Sequence, residues 1–470
     1  MSQQTVQIEQ LVDDQKIGWF NIKLLLWSWL AMFADGFDIS ALSFASTELI
    51  REWGVARSDF GWAFSASNVG VLIGAPVLGY VGDKYGRRLA IVFGSVIFGV
   101  FTLAMTQATT LHQMEVLRVL TGIGIGGLMP NTIALNAELA PRRWRATMVV
   151  LMFTGITLGS GSPGAISGWM VPIFGWEIVF VIGGAFPLIV AACLWFALPE
   201  SVKYLASLHK HRDRLLKTAR TMRPDLRIAD DAAFVTAPDV HVATEKEQGF
   251  LGLRLLFRGS LRFITPLLWI CFATTLMANF FLNNWMPIIF EGNGLSPKEA
   301  AVASMLYHVG GTVGGLLVSL VLNRLGYTAI AALFILAPLA IASMGFGGSS
   351  HLLTTFVTGL AGFAVLGVQF GNNACAGLIY PTEARSKGVG WALGIGRIGS
   401  IVSPVIGAEL IRRQMPASEL FMWAASPMAL GAFAAVLVAM LCYARFRSLT
   451  LDDKPSVDEA RPGAGAKATA

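Results

Sequence analysis

Twelve stretches of this sequence are apolar for long enough to cross a lipid bilayer, and that repetition limits the folds open to the chain. They lie at about 22–45, 60–81, 89–109, 112–139, 146–170, 176–198, 263–290, 299–322, 328–346, 351–379, 387–411 and 420–444. A helix crosses the hydrocarbon with about 20 residues at 1.5 Å each. Lipid offers no partner for backbone amides, so apolar runs of this length satisfy their own hydrogen bonds as helices. Charged residues make up only 14% of the chain, against about 25% in soluble domains. The expected fold is an all-α polytopic membrane protein. The first 20 or so residues are polar and mixed in charge, and no small-residue cleavage site follows the first apolar run. That run is expected to stay as an anchor.

Six spans precede a polar, basic stretch and six follow it. The expected organisation is a cytoplasmic amino-terminal tail at 1–21, a six-helix bundle at 22–199, a cytoplasmic connecting loop at 200–262, a second bundle at 263–447 and a disordered tail at 448–470. Sidedness follows from the basic residues. With the amino terminus inside, 28 of the 35 Lys and Arg fall in inward-facing segments, five in outward loops and two within spans. That excess sets both termini on the cytoplasmic side and accounts for the positive net charge without a nucleic-acid partner. Cys193, Cys271, Cys375 and Cys442 stand singly in apolar runs, with neither metal spacing nor a disulfide framework, and read as packing residues.

The halves repeat. A shift of 240 positions lays Asp83-Lys84-Tyr85-Gly86 on Asn323-Arg324-Leu325-Gly326, Gly122 on Gly362, Gly127 on Gly367, Pro141 on Pro381 and Arg145 on Arg385. One offset that aligns two loops and the helix between them predicts two pseudo-symmetric six-helix bundles with a site between them near the midplane.

The first span contains Asp35-Gly36-Phe37-Asp38. A charged Asp at mid-bilayer costs roughly 2.5–3.5 kcal/mol on insertion scales. Two acids three residues apart share a helix face, so both are expected to face a protein interior or watery cleft. Transport is the favoured role; a buried salt bridge that only locks helices is the competing one. Arg118, in the glycine-rich fourth span, matches their depth and is the expected partner of Asp35 or Asp38. A carboxylate held this way takes and releases a proton as its access to water changes.

The turn after the second span reads Gly79-Tyr-Val-Gly-Asp83-Lys-Tyr-Gly86-Arg87-Arg88. Gly86 suits a tight turn. Asp83 is placed to cap a helix amino terminus of the other half, which would latch one conformation. This motif resembles the signature of the major facilitator superfamily, and the resemblance runs from about 20 to 445. With Asp35-Gly-Phe-Asp38 and Leu198-Pro-Glu200-Ser201, the chain is similar to one branch of it, the aromatic acid:proton symporters of bacteria. That resemblance implies twelve helices, a transport role for both first-span acids, and residence in the inner membrane. The Pro-Glu-Ser end also resembles sugar porters, but their usual continuation is absent, with Val202-Lys203 following instead.

Candidate substrate groups lie in the second half. Arg397, ten residues into its span, suits a carboxylate ligand or a protein acid. Asn279, Asn283, Asn284, Tyr307, His308, Gln369, Asn372 and Asn373 are polar groups on apolar helices, suited to orient a ring hydroxyl or to bond between helices. Phe37 and Trp285 are candidates to stack on the ring. The expected function is import of aromatic carboxylates, of the hydroxybenzoate or benzoate class, coupled to protons by alternating access in a monomer. Carriage of another organic acid, a sugar or a small metabolite stays open. So do efflux, which the glycines at 155–168 would suit, and a sensor without flux. No phosphate-cradling Gly-x-x-x-x-Gly-Lys loop or metal-spaced cluster occurs, so neither an enzyme nor any cofactor or metal is expected.

Overall fold

The computed structural model describes residues 5–207, 212–226, 228–230, 232–235, 253–346, 351–380 and 382–446. The tail expected to be disordered at 448–470, Pro381 of the repeat and the middle of the connecting loop at 236–252 lie outside the described residues. A strand β1 (Thr5–Gln7) and a short helix α1 (Ile8–Asp13) lead into six long helices. These are α2 (Trp19–Trp53), α3 (Phe60–Tyr85), α4 (Arg87–Ala104), α5 (Leu111–Leu139), α6 (Arg142–Phe174) and α7 (Glu177–Ala197). The connector contributes α8 (Val202–Ser207), α9 (Arg212–Met222), β2 (Ala233–Val235) and α10 (Leu253–Leu256). The second set is α11 (Leu261–Gly292), α12 (Pro297–Leu325), α13 (Tyr327–Met344), α14 (His351–Ile379), α15 (Thr382–Arg412) and α16 (Ala417–Phe446).

These twelve long helices carry windows apolar and long enough to span a membrane. Several outrun their apolar cores. The first runs for 35 residues until Gly54 turns left-handed at φ 64°, whereas the apolar run covers 22–45. Hydropathy marks only the lipid-embedded part; the helix continues until a residue breaks its backbone pattern. Outward faces are apolar, with Ile173 73%, Leu352 83% and Phe196 85% exposed, while Asp38 and Arg118 are each 2% exposed. The charges are inside and the hydrocarbon side chains are outside, as a lipid solvent demands.

The repeat is built into the packing. In each half the second helix lies against the fourth, the first against the fifth and the third against the sixth. Gly122 meets the backbone of Ser67, and its repeat mate Gly362 meets the backbone of Tyr307, the residue 240 positions beyond Ser67. Gly70 meets Val119 and Gly310 meets Gly359, again 240 apart. A Cβ at any of these four glycines would lie inside the neighbouring backbone or close against it, so the shared glycines set the same close helix approach twice.

The bundles touch through α6 against α12, α3 against α15 and α2 against α11. Their hydrogen bonds run from the half of the molecule away from the 83–88 turn to mid-depth. Ser65 Oγ donates to the Ile401 carbonyl at 2.7 Å, Ser43 Oγ to the Asn284 carbonyl at 2.8 Å, and the Thr157 and Thr312 hydroxyls pair at 2.6 Å. Toward the turn end, Phe153 and Phe370 meet edge to face at 6.1 Å between centroids. At that same end β1 pairs in parallel with β2, Thr5 opposite Ala233. Val6, Leu11, Leu216, Ala219, Ile228 and Ala232 close a small core there. The amino-terminal tail and the connector thus fold together, a union that sequence distance hides.

Candidate functional site

Asp35 and Asp38 project from α2 into a cavity between the bundles. Arg118 of α5, Ser160 of α6, Asn279 and Asn283 of α11, His308 of α12, Gln369 and Asn372 of α14 and Arg397 of α15 line it as well. The helix pitch puts both acids on one face, but their surroundings differ. Arg118 Nη1 donates to Asp38 Oδ2 at 3.0 Å and to the Asp38 carbonyl at 3.3 Å. Ser67 Oγ donates to the same carboxylate oxygen at 3.4 Å. Asp38 Oδ1 and Arg118 Nε are left without a partner among the described residues. The pair lies wholly inside the first bundle.

Asp35, 6% exposed, has no such clamp. Two charges act on it, Arg397 of the second bundle and, more weakly, the neighbouring Asp38. Among the described residues the Arg397 guanidinium is held loosely, by one 3.5 Å bond from Nη1 to Asn68 Oδ1. One acid is therefore committed to a cation of its own bundle, and the other faces a cation across the interface.

A chain of amides covers the opposite wall. Ser40 Oγ donates to Asn283 Oδ1 at 2.8 Å, Asn283 Nδ2 to Asn279 Oδ1 at 3.1 Å, and Asn279 Nδ2 to Gln369 Oε1 at 3.2 Å. Tyr307 is fully buried behind the cavity and donates its hydroxyl to Asn279 Oδ1 at 3.0 Å. Asn372 accepts from the Tyr327 hydroxyl at 2.8 Å. His308 is 2% exposed; its carbonyl accepts from the Thr312 hydroxyl at 3.0 Å, and its ring forms no hydrogen bond among the described residues. Its ring meets Tyr307 edge to face. The ladder crosses from α2 to α11 to α14, so it joins the bundles and presents amide edges to the cavity at once.

The two aromatic candidates stand elsewhere. Phe37 packs against Gly183 of α7, because a residue two places from Asp35 lies on the other side of the helix. Trp285 is fully buried; its indole N–H donates to the Pro404 carbonyl at 3.1 Å and its ring meets Phe64 at 5.0 Å. Neither lines the cavity. The rings that do are Phe64, Phe153, Phe272, Phe280 and Phe370. Apolar aromatics on apolar helices carry no sequence signal that separates a lining ring from a packed one.

The turn at 83–88 forms a second cluster. Gly86 sits at φ 105°, and a Cβ there would strike the Glu200 carboxylate. Asp83, 65% exposed, pairs with Arg87 at 2.5 Å instead of capping a helix of the other bundle. Arg87 also reaches Asn131 Oδ1 at 3.3 Å and Glu138 at 3.7 Å. Glu200 accepts from the backbone N–H of Arg88 at 3.3 Å and of Ser201 at 2.9 Å, and the Ser201 hydroxyl donates to Glu138. Burial pushes the Glu200 carboxyl up from its ordinary range, against those N–H bonds and the Arg88 charge. The Arg88 guanidinium donates to the Trp195 carbonyl. Gly79 has open space beside it and plays no steric part. Glu138 and Asn131 belong to this cluster as well, and the sequence signal for Glu138 is an acid at the end of a span just before the basic residues 142–145.

A family model described as Major Facilitator Superfamily matches residues 28–404. The chain is 33% identical to the gallate transporter of Pseudomonas putida, covering 93% of this chain and 94% of that one. It is 31% identical to the 4-hydroxybenzoate transporter PcaK of Pseudomonas aeruginosa, over 93% and 97%, and 29% identical to the benzoate transport protein of Acinetobacter baylyi, over 92% of each. Among solved structures it resembles the xylose transporter XylE from E. coli, with a TM-score of 0.67 at 15% identity, covering 89% of this chain and 97% of that one. It also resembles a bacterial homologue of the lysosomal transporter Spinster, with a TM-score of 0.64 at 16% identity, over 94% and 100%.

Proposed function

Because this chain belongs to the major facilitator superfamily, and within it to the aromatic-acid transporters, we propose that it imports aromatic carboxylates of the hydroxybenzoate and benzoate class by alternating access, driven by protons. It is a multi-pass membrane transporter and not an enzyme. One observation carries the mechanism: the unequal partnering of two acids one helical turn apart, Asp38 tied to Arg118 within its bundle and Asp35 opposed to Arg397 across the interface.

Asp35 and a substrate carboxylate compete for Arg397. A proton arriving at the Asp35 carboxylate removes its charge and leaves Arg397 free to bind the incoming carboxylate as a charge-assisted pair. Substrate anion and proton enter together, so the site holds the same net charge loaded or empty, and the bundles rock about it without moving net charge through the bilayer. One proton per monoanion makes the cycle electroneutral, and the pH gradient drives it. A further proton would add about 2.3 kcal/mol per 100 mV. Asp38 and Arg118 hold α2 to α5 throughout and position Asp35. The cavity rings enclose the aromatic ring; Asn279, Asn283, Gln369 and Asn372 meet its hydroxyl, and His308 offers a further polar edge.

Closure of the bundles away from the 83–88 turn, together with the positive-inside count, supports an inward-facing state with both termini in the cytoplasm of a bacterial cell and the chain in its inner membrane as a monomer. The latch residues Asp83, Gly86, Arg87 and Arg88 then lie on the open side, where Asp83 rests on Arg87 until the bundles close there. Both structural relatives are described as inward-facing or inward-open. The bundles at 22–199 and 263–447 are the rocking units, joined through 200–262. The test is uptake of labelled 4-hydroxybenzoate into proteoliposomes under an imposed pH step, acid outside. The full chain accumulates label and Asp35→Asn does not. Undiminished proton-driven accumulation by Asp35→Asn refutes the coupling role; labelled xylose accumulated in preference to benzoates refutes the substrate class.

A further inference from the structure

The first bundle carries a second recess, lined by none of the residues of the central cavity. It lies at the 83–88 end, framed by the start of α2, the start of α4, the end of α7 and one face of α9, and has a volume of about 1010 Å³. Lys16, Lys23, Arg88, Arg214 and Lys217 line it, against two carboxylates, Glu200 and Asp225. Both carboxylates are already engaged. Arg223 grips Asp225 with two nitrogens, each at 2.9 Å, and Glu200 accepts from two backbone N–H groups. Arg88 is attracted by Glu200 and, less strongly, repelled by Arg214, so five cations share this recess with two carboxylates. Arg214 and Lys217 are exposed and form no ion pair among the described residues. The recess therefore holds more positive charge than the protein neutralises.

Its rim is apolar and aromatic. Trp19 is 66% exposed, Trp195 51% and Phe196 85%, and Ile189 two turns along α7 is 63% exposed. Lys23 lies over the Trp19 ring at 5.5 Å. Cations above a step of aromatic rings, at the end of two spans, match the layering of a phospholipid: phosphate, interface, acyl chain. A free phosphate would meet the cations and leave the rings unused, and a choline headgroup would bring a cation into a cationic site.

We propose that this groove binds an anionic phospholipid, its phosphate among Lys23, Arg88, Arg214 and Lys217 and its acyl chains along Phe196 and Ile189. The lipid fastens the connector helix α9 to the membrane face of the first bundle. Native mass spectrometry of the full chain in detergent, with equal phosphatidylglycerol and phosphatidylcholine, tests it. The wild type retains phosphatidylglycerol preferentially. Arg214→Gln and Lys217→Gln each weaken that retention about fivefold and together about thirtyfold, at about 1 kcal/mol per cation near the surface. Retention of phosphatidylcholine stays as in the wild type and reports an intact fold. Inorganic phosphate at about 10 mM, a concentration that the shared phosphate chemistry would make competitive at a soluble-anion site, leaves phosphatidylglycerol bound. Equal retention of the two lipids, retention unchanged in the double variant, or displacement by phosphate overturns the proposal.

Discussion

The unequal pairing of Asp35 and Asp38 makes a sharp stability prediction. Replace each by Asn, which keeps the size and removes the charge. Asp38 Oδ2 and Arg118 Nη1 are 3.0 Å apart and both side chains are 2% exposed. At an effective permittivity of about 20, the attraction at that distance is about 5 kcal/mol. Removing one partner leaves the other charge buried and unpaired, which costs about 3–5 kcal/mol. For a bundle of this size that is a fall of roughly 10 °C in melting temperature. The Asp35 carboxylate receives no hydrogen bond among the described residues; Asp35→Asn removes a buried charge, and Arg397, which opposes it without a direct bond, keeps its contact with Asn68 and its place on the cavity. The melting temperature of Asp35→Asn is expected to stay within about 2 °C of the wild type or to rise, while transport coupling is lost. Asp38→Asn combined with Arg118→Gln recovers most of the single-variant loss, because neither charge remains. The assay is thermal unfolding of detergent-purified protein followed by tryptophan fluorescence. Equal melting temperatures for Asp35→Asn and Asp38→Asn, or a double variant worse than both singles, would refute the reasoning.

Other outcomes follow from the same geometry. Asn279→Ala cuts the amide ladder at its centre, where Asn283, Tyr307 and Gln369 converge; competition uptake should show 4-hydroxybenzoate losing about tenfold against unsubstituted benzoate, the scale of one lost polar contact. Gly86→Ala places a side chain at φ 105° and into Glu200, which costs about 1–3 kcal/mol of backbone strain and lowers the yield of folded protein, whereas Gly79→Ala, in open space, leaves expression and uptake unchanged. Glu200 supplies a pH dependence with a definite sign. Burial raises its folded pKa, so the stability tied to its protonated form is complete below the unfolded value and is lost as pH rises through the folded one. Melting curves of wild type and Glu200→Gln should diverge with rising pH, the wild type falling relative to the variant; parallel curves would remove Glu200 as the cause.

Much of this architecture was legible because a bilayer is a demanding solvent. Apolar length announced the helices, the shared offset announced the repeat, and an aspartate inside a hydrophobic run announced a protected interior. The offset of 240 reappears as glycines pressed on matching backbone positions in both halves. Side-chain direction within the apolar helices was not legible. Phe37 and Trp285 look as suitable for a ring site as Phe64 or Phe280, yet only the latter pair line the cavity.

From the order of residues alone come the number of helices, the doubled bundle and the depth of the charges, since each depends on local composition read against a hydrocarbon slab. Three-dimensional packing assigned the partners. Arg118 could serve either acid by depth, and helix rotation gave it to Asp38, leaving Asp35 to Arg397. It also joined residues 5–7 to 233–235 and built the basic groove beside them. Pairing energies fall off over a few ångströms, and distances that short between remote segments exist only once the helices have docked.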